Sequence, residues 1–142
     1  MRTPRLILAA GFCAAASLVP LTSGCGSDGN GGTGPNAALY AAWNATSFQA
    51  LGTDFIADGM TLTLTFDPAG TYTMAVTNDL IGTCDPGPDC INGGDFTATA
   101  TQITLDPGSP DGVTLTYAIS GTDMTFTGAI DGNAVTITFE RV

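Results

Sequence analysis

Residues 60 to 66 read Met60-Thr61-Leu62-Thr63-Leu64-Thr65-Phe66, in which four large apolar side chains alternate without exception with three threonines. A period of two puts the apolar set on one face of an extended segment and the threonines on the other, so the stretch reads as a half-buried β-strand. Thr is β-branched and tolerates water, which suits the outer face. The same alternation recurs at Thr71 to Asn78, with Tyr72, Met74 and Val76 inward, at Val113 to Ile119, and at Val135 to Arg141. Weaker strands are expected at Trp43 to Ala50, Asp95 to Ala100, Gln102 to Leu105 and Asp123 to Ala129, which brings the number to eight.

The joints between these runs are short. Asp67-Pro68-Ala69-Gly70, Gly121-Thr122-Asp123 and Asp131-Gly132-Asn133 are turn sequences that favour hairpins between consecutive antiparallel strands. Eight strands with one apolar face either close into an up-and-down barrel or stack as a two-sheet sandwich. Closure removes the exposed edges that a chain without lysine cannot guard with charge, so an all-β, eight-stranded antiparallel barrel is expected and the sandwich is the alternative.

The 142-residue chain has no histidine, no lysine, three arginines and 13 acidic residues, for a formal net charge of -10. A histidine base, a Schiff-base lysine and a histidine-held zinc all need side chains that are missing, so no enzymatic role, metal or cofactor is expected. Nucleic acid is excluded as a partner by charge, because no Lys/Arg cluster is present to neutralise phosphates. Twelve of the 13 acids are Asp, mostly beside Gly or Pro, which is turn chemistry. Asp85 with Asp89, or Asp106 with Asp111, offer oxygen ligands but no recognisable calcium loop.

The first 24 residues read as an export signal. Arg2 and Arg5 form a basic start, Leu6 to Val19 is an apolar run shorter than the about 20 residues a membrane-spanning helix needs, and Leu21-Thr22-Ser23-Gly24 precedes Cys25. That junction resembles a bacterial lipoprotein box, which implies that Cys25 receives the lipid and becomes the first mature residue; ordinary secretion with a free Cys25 is the alternative. Gly26, where inner-membrane retention signals carry Asp, resembles the outer-membrane or cell-surface class. Removing residues 1–24 leaves Arg141 as the one cation, and 1 minus 13 gives -12. Residues 25–36, CGSDGNGGTGPN, are a Gly-rich tether with a reach on the order of 20 Å, and residues 37–142 form the domain.

Cys84 and Cys90 are the even pair left in an oxidising compartment and are expected to form a disulfide across Asp85-Pro86-Gly87-Pro88-Asp89. A redox role needs positive charge near the thiolate, and Asp85 and Asp89 supply the opposite.

The first-strand segment Ala41-Ala42-Trp43-Asn44-Ala45-Thr46, the run MTLTLTFDPAGTYTMAV and the closing VTITFERV together resemble the small bacterial lipocalin-like domains found behind a lipobox. The resemblance covers residues 38–142 and implies a meander in which the first-strand Trp43 packs beneath Arg141 from the barrel end, the guanidinium within about 6 Å of the indole centroid. Ala41 stands where the family has Gly. A lipocalin-like barrel also implies a candidate ligand site among the inward residues Leu62, Leu64, Tyr72, Met74, Phe96, Leu115, Tyr117, Met124, Phe126 and Ile137. The same set would serve equally as a filled core, since an eight-stranded barrel is just wide enough for either. Two functions follow: a lipid-anchored envelope module binding a small hydrophobic ligand, or a non-enzymatic structural or protein-interaction domain with acidic loops.

Overall fold

The computed structural model describes residues 34–142. A 3-10 turn at Ala37–Leu39 precedes nine strands: β1 (Ala42–Ala50), β2 (Thr53–Asp54), β3 (Thr61–Phe66), β4 (Thr71–Thr77), β5 (Cys90–Ala98), β6 (Gln102–Leu105), β7 (Val113–Ser120), β8 (Asp123–Ile130) and β9 (Asn133–Arg141). Strands β3 to β9 pair antiparallel in chain order, and β1 joins β3 on one side and β9 on the other. A single sheet therefore closes on itself as an eight-stranded barrel with the two-residue β2 as an addition, and the two-sheet alternative does not occur. The export signal, Cys25 and the tether up to residue 33 lie outside the described residues.

Alternation sorts the side chains as expected. Leu62, Leu64 and Phe66 of β3, Leu115 and Tyr117 of β7, Met124 and Phe126 of β8, and Val135, Ile137 and Phe139 of β9 are buried. Outward, threonines meet across the strands, with Thr104 and Thr114 hydroxyls 2.9 Å apart and Thr46 and Thr138 hydroxyls 3.0 Å apart. A barrel that crosses a membrane carries an apolar band outside; this one carries its apolar residues inside and hydroxyls outside.

Two strands depart from the simple pattern. In β1 both Trp43 and Phe48 are buried although five positions apart, which strict alternation forbids; a bulge between Ala45 and Ser47 inserts the extra residue that resets the phase. Strand β5 begins at Cys90 and ends at Ala98 instead of running from Asp95 to Ala100. Its first half, Cys90-Ile91-Asn92-Gly93-Gly94, has Cys90 as its one apolar side chain packed against the core and is held by backbone pairing to β4 across Tyr72↔Gly94 to Val76↔Cys90. The close approach explains the glycines. A Cβ on Gly93 would sit 2.7 Å from the Tyr72 carbonyl oxygen, and one on Gly94 would fall 1.9 Å from Asp106 Oδ1.

The two ends of the barrel differ. The base holds the hairpins at residues 67–70, 99–101 and 121–122 with both chain ends of the domain, and it is plugged. Leu39 and Trp43 are fully buried there, the indole N–H donates to the Leu39 carbonyl at 3.0 Å, and the Arg141 guanidinium donates to the Ala38 carbonyl. The Tyr117 hydroxyl donates to the Thr99 carbonyl at 2.7 Å and accepts from the Asn36 N–H at 3.1 Å. Trp43 is paired with Arg141, whose guanidinium carbon lies 5.1 Å from the indole centroid. Above this floor a chain of edge-on aromatic contacts crosses the interior: Phe96 to Phe66 at 5.0 Å, Phe66 to Phe126 at 6.3 Å and Phe126 to Phe139 at 5.2 Å. Edge-to-face pairs of this kind are favourable beyond their buried area.

Candidate functional site

The opposite end is a mouth built by four connections: residues 51–60, 78–89, 106–112 and 131–132. They surround a cavity of about 800 Å³ that is joined to solvent. Its floor is Phe48, Phe55, Val113, Ile130 and Val135; Leu80, Ile81 and Thr83 form one wall, and Leu51, Asp111, Asp131 and Asn133 the rim. Phe48 and Phe55 meet edge to face at 5.7 Å. Ligand cavities typically span about 300–1,000 Å³, and this one falls in that range; its lining is divided about evenly between polar groups and the apolar floor.

None of the ten interior residues singled out from the alternation lines the mouth. Leu62, Leu64, Tyr72, Phe96, Leu115, Tyr117, Met124, Phe126 and Ile137 are buried in the packed interior, and Met74 is half-buried beside the apolar-poor start of β5. Leu62 also borders a smaller recess of about 240 Å³ next to Ile56 and Met60. These ten form the core, and the open cavity lies further along the barrel axis.

Three of the four connections are fixed by carboxylates. Asp54 accepts from the Ser47 hydroxyl at 2.7 Å, the Phe48 N–H at 3.1 Å and the Ile56 N–H at 3.1 Å, which folds residues 51–60 back over the end of β1. Its carboxyl is held below the ordinary carboxylate value, first by the Ser47 hydroxyl and then by the backbone N–H groups. Asp79 does the same for the second wall, accepting from Cys84 N–H at 2.6 Å and Ile81 N–H at 2.9 Å. Burial pushes the Asp79 carboxyl up, but the N–H groups of Cys84, Ile81, Gly82 and Thr83 together outweigh it and the net shift is downward. Asp89 accepts from Asn78 N–H at 2.9 Å, and a disulfide joins Cys84 to Cys90 with Cα atoms 5.5 Å apart, tying the wall to the first residue of β5.

The third wall is anchored by Tyr72, whose hydroxyl donates to Asp106 Oδ2 at 2.7 Å in the space that Gly94 leaves open. Burial first, and then the hydrogen bond to Asp106 and its charge, push the phenol up to about 12. Asp85, Asp89, Asp106 and Asp111 do not gather as a cation site: Asp89 and Asp106 are occupied by these loop contacts. Among the described residues no group of three or more His, Cys, Asp or Glu side chains converges.

The two depressed carboxyls give a pH prediction. A folded value below the unfolded one means that their contribution to stability is present above the ordinary carboxylate value of 3.8 and is lost as pH falls through the folded values. Acidification should therefore loosen the mouth walls before the threonine-clad barrel, with the Ile81 and Cys84 amide resonances shifting and losing exchange protection ahead of those of β8 and β9. Simultaneous loss across all strands would contradict this order.

Comparison with protein-family profiles, with curated proteins and with solved structures returned no match. The site and its setting define the molecule by themselves: a closed antiparallel barrel, plugged at the base and open at a mouth with an apolar floor and a polar rim.

Proposed function

We propose that the chain is a non-catalytic, lipocalin-like binding module of the bacterial cell envelope, anchored through lipid on Cys25, that holds a small apolar molecule in the mouth of its barrel. The observation that carries this reading is the rim. Leu51, Leu80 and Ile81 are 77%, 44% and 41% exposed, and all three border the cavity. Leu51 is also the odd member of the residues with positive φ. The other non-glycine members are Asn78, Asp106 and Asp131, types that tolerate the left-handed region, whereas Leu51 adopts φ 54 beside Gly52 at φ 81 in a two-residue hairpin turn. An exposed leucine in that conformation costs about 1 kcal/mol in the free protein, and contact with an apolar occupant would offset it.

The lipocalin-like reading is supported by the meander, the plugged base and the Trp43–Arg141 pair. Anchoring has a geometric consequence. The domain's N-terminal segment enters at the base, where Asn36 meets Tyr117, so a lipid on Cys25 would hold the domain from its base end through the Gly-rich tether. A protein-interaction domain with a filled core is the second reading, and the packed interior below the mouth favours it.

Native mass spectrometry of the protein purified from its own envelope separates the two. A retained small molecule, displaced by 1-decanol, is expected; a bare protein that also fails to take up 1-decanol would refute the binding reading. Leu51→Asn sharpens the test, because it creates an Asn-Gly turn. It should raise stability by about 1 kcal/mol in urea unfolding while weakening 1-decanol binding, the trade-off of a residue kept for function. Cys25→Ser tests the anchor separately: the variant should leave the membrane fraction, and unchanged membrane association would overturn the lipidation.

A further inference from the structure

We propose that the mouth takes a cationic amphiphile, an apolar body carrying an ammonium head, and discriminates against fatty-acid anions; this rests on the mouth being the ligand site. The described residues contain 12 acidic side chains, the 13 of the chain less Asp28, and Arg141 as their one cation. Eight of the 12 lie on the four mouth connections: Asp54, Asp58, Asp79, Asp85, Asp89, Asp106, Asp111 and Asp131. Asp67, Asp123 and Glu140 lie toward the base, where Arg141 is occupied by Trp43 and the Ala38 carbonyl, and Asp95, whose carbonyl accepts from the Asp106 N–H at 2.8 Å, lies between the two ends. The barrel axis thus carries a strong charge gradient with its negative pole at the opening.

Two of the eight border the cavity itself. Asp111 sits two residues before the floor residue Val113, and Asp131 directly follows the floor residue Ile130. Asp54, Asp79, Asp89 and Asp106 spend their carboxylates on loop hydrogen bonds, whereas Asp111 and Asp131 accept none among the described residues and remain available to a ligand. The polar side chains that could greet an anion are the neutral Thr83 and Asn133. A cleft lined by one sign of charge over low-dielectric walls focuses the field and enriches the opposite charge by on the order of tenfold or more. An alkyl chain on Phe48, Phe55 and Val135 would leave its head at the rim beside Asp111 and Asp131.

Calorimetry with three probes of equal chain length, decylamine, 1-decanol and decanoate, tests this on the purified chain. Decylamine is expected to bind on the order of tenfold more tightly than 1-decanol, and decanoate more weakly than either. The preference should shrink as salt rises from about 0.01 M to about 1 M, where the screening length falls from about 30 Å to about 3 Å. Asp111→Asn combined with Asp131→Asn should bring the affinities for decylamine and 1-decanol within about twofold of each other. Decanoate binding as tightly as decylamine, or a decylamine preference that survives the double substitution, overturns the cationic assignment and leaves the apolar site standing. Failure of all three probes overturns the site itself, and this inference with it.

Discussion

Trp43→Ala should lower the unfolding free energy by about 3–5 kcal/mol, the range for truncating a large buried aromatic, and leave the protein close to the edge of stability. The indole is fully buried, and its ring closes the base beneath Arg141. Its N–H also donates to the Leu39 carbonyl, which in the alanine variant would keep only the Ala41 N–H. Position matters as much as size. Trp43 is the residue of β1 that pairs with Leu64 of β3 on one side and Arg141 of β9 on the other, so the cavity would open in the seam that closes the barrel. Arg141→Ala should cost far less, about 0.5–1 kcal/mol, because its head is exposed and what is lost is its stem and face contact together with an exposed hydrogen bond to the Ala38 carbonyl that water can replace. A double-mutant cycle in urea isolates the contact, and additivity within about 0.3 kcal/mol would mean that the stacking is energetically empty. A loss below about 1 kcal/mol for Trp43→Ala alone would contradict the closure of the barrel through this residue.

Why the barrel was legible and its mouth was not has a physical explanation. Alternation reports which face of a strand is inward, and on that basis Leu62, Leu64, Phe126 and Ile137 were assigned inward, where they are buried. It carries no information about depth along the barrel axis, and depth is what separates the filled core from the open cavity. Val113 and Val135 obey the same alternation as Leu115 and Ile137 yet reach the mouth, because they lie one step nearer the strand ends there. The remaining lining comes from the ends of β1, β8 and β9 and from four connections far apart in sequence, which only closure brings together. One signal was present. Leu51 stands beside Gly52 where hairpin turn chemistry favours Asn or Asp, and Leu80-Ile81 places two large apolar side chains in a connection otherwise made of Asn, Asp, Gly, Pro, Thr83 and Cys84. The first half of β5 was hidden for a different reason: a strand made by main-chain pairing around glycines leaves no side-chain period to read.

The second large effect is expected from the disulfide. Replacing Cys84 and Cys90 together by alanine should destabilise the protein by about 2 kcal/mol, since the closed loop is short and constrains the unfolded chain only modestly. The larger consequence is local. Residues 80, 81 and 83 form a wall of the cavity, and that wall is held at one end by the hydrogen bonds of Asp79 and at the other by the bridge from Cys84 to the start of β5. Cys84 is itself buried against the core, so freeing it releases apolar cover as well as a covalent tie. The base lies at the other end of the barrel and shares none of these contacts. Uptake of 1-decanol should therefore fall by on the order of tenfold in the double variant, about 1.4 kcal/mol of binding free energy. Hydrogen exchange locates the damage: amides of residues 79–84 should lose protection while Phe126, Ile137 and Phe139 keep theirs. If the strands of the base lost protection to the same extent as residues 79–84, the loop would be a structural part of the barrel and not a separable wall of the mouth, and the weakened binding would then report global unfolding.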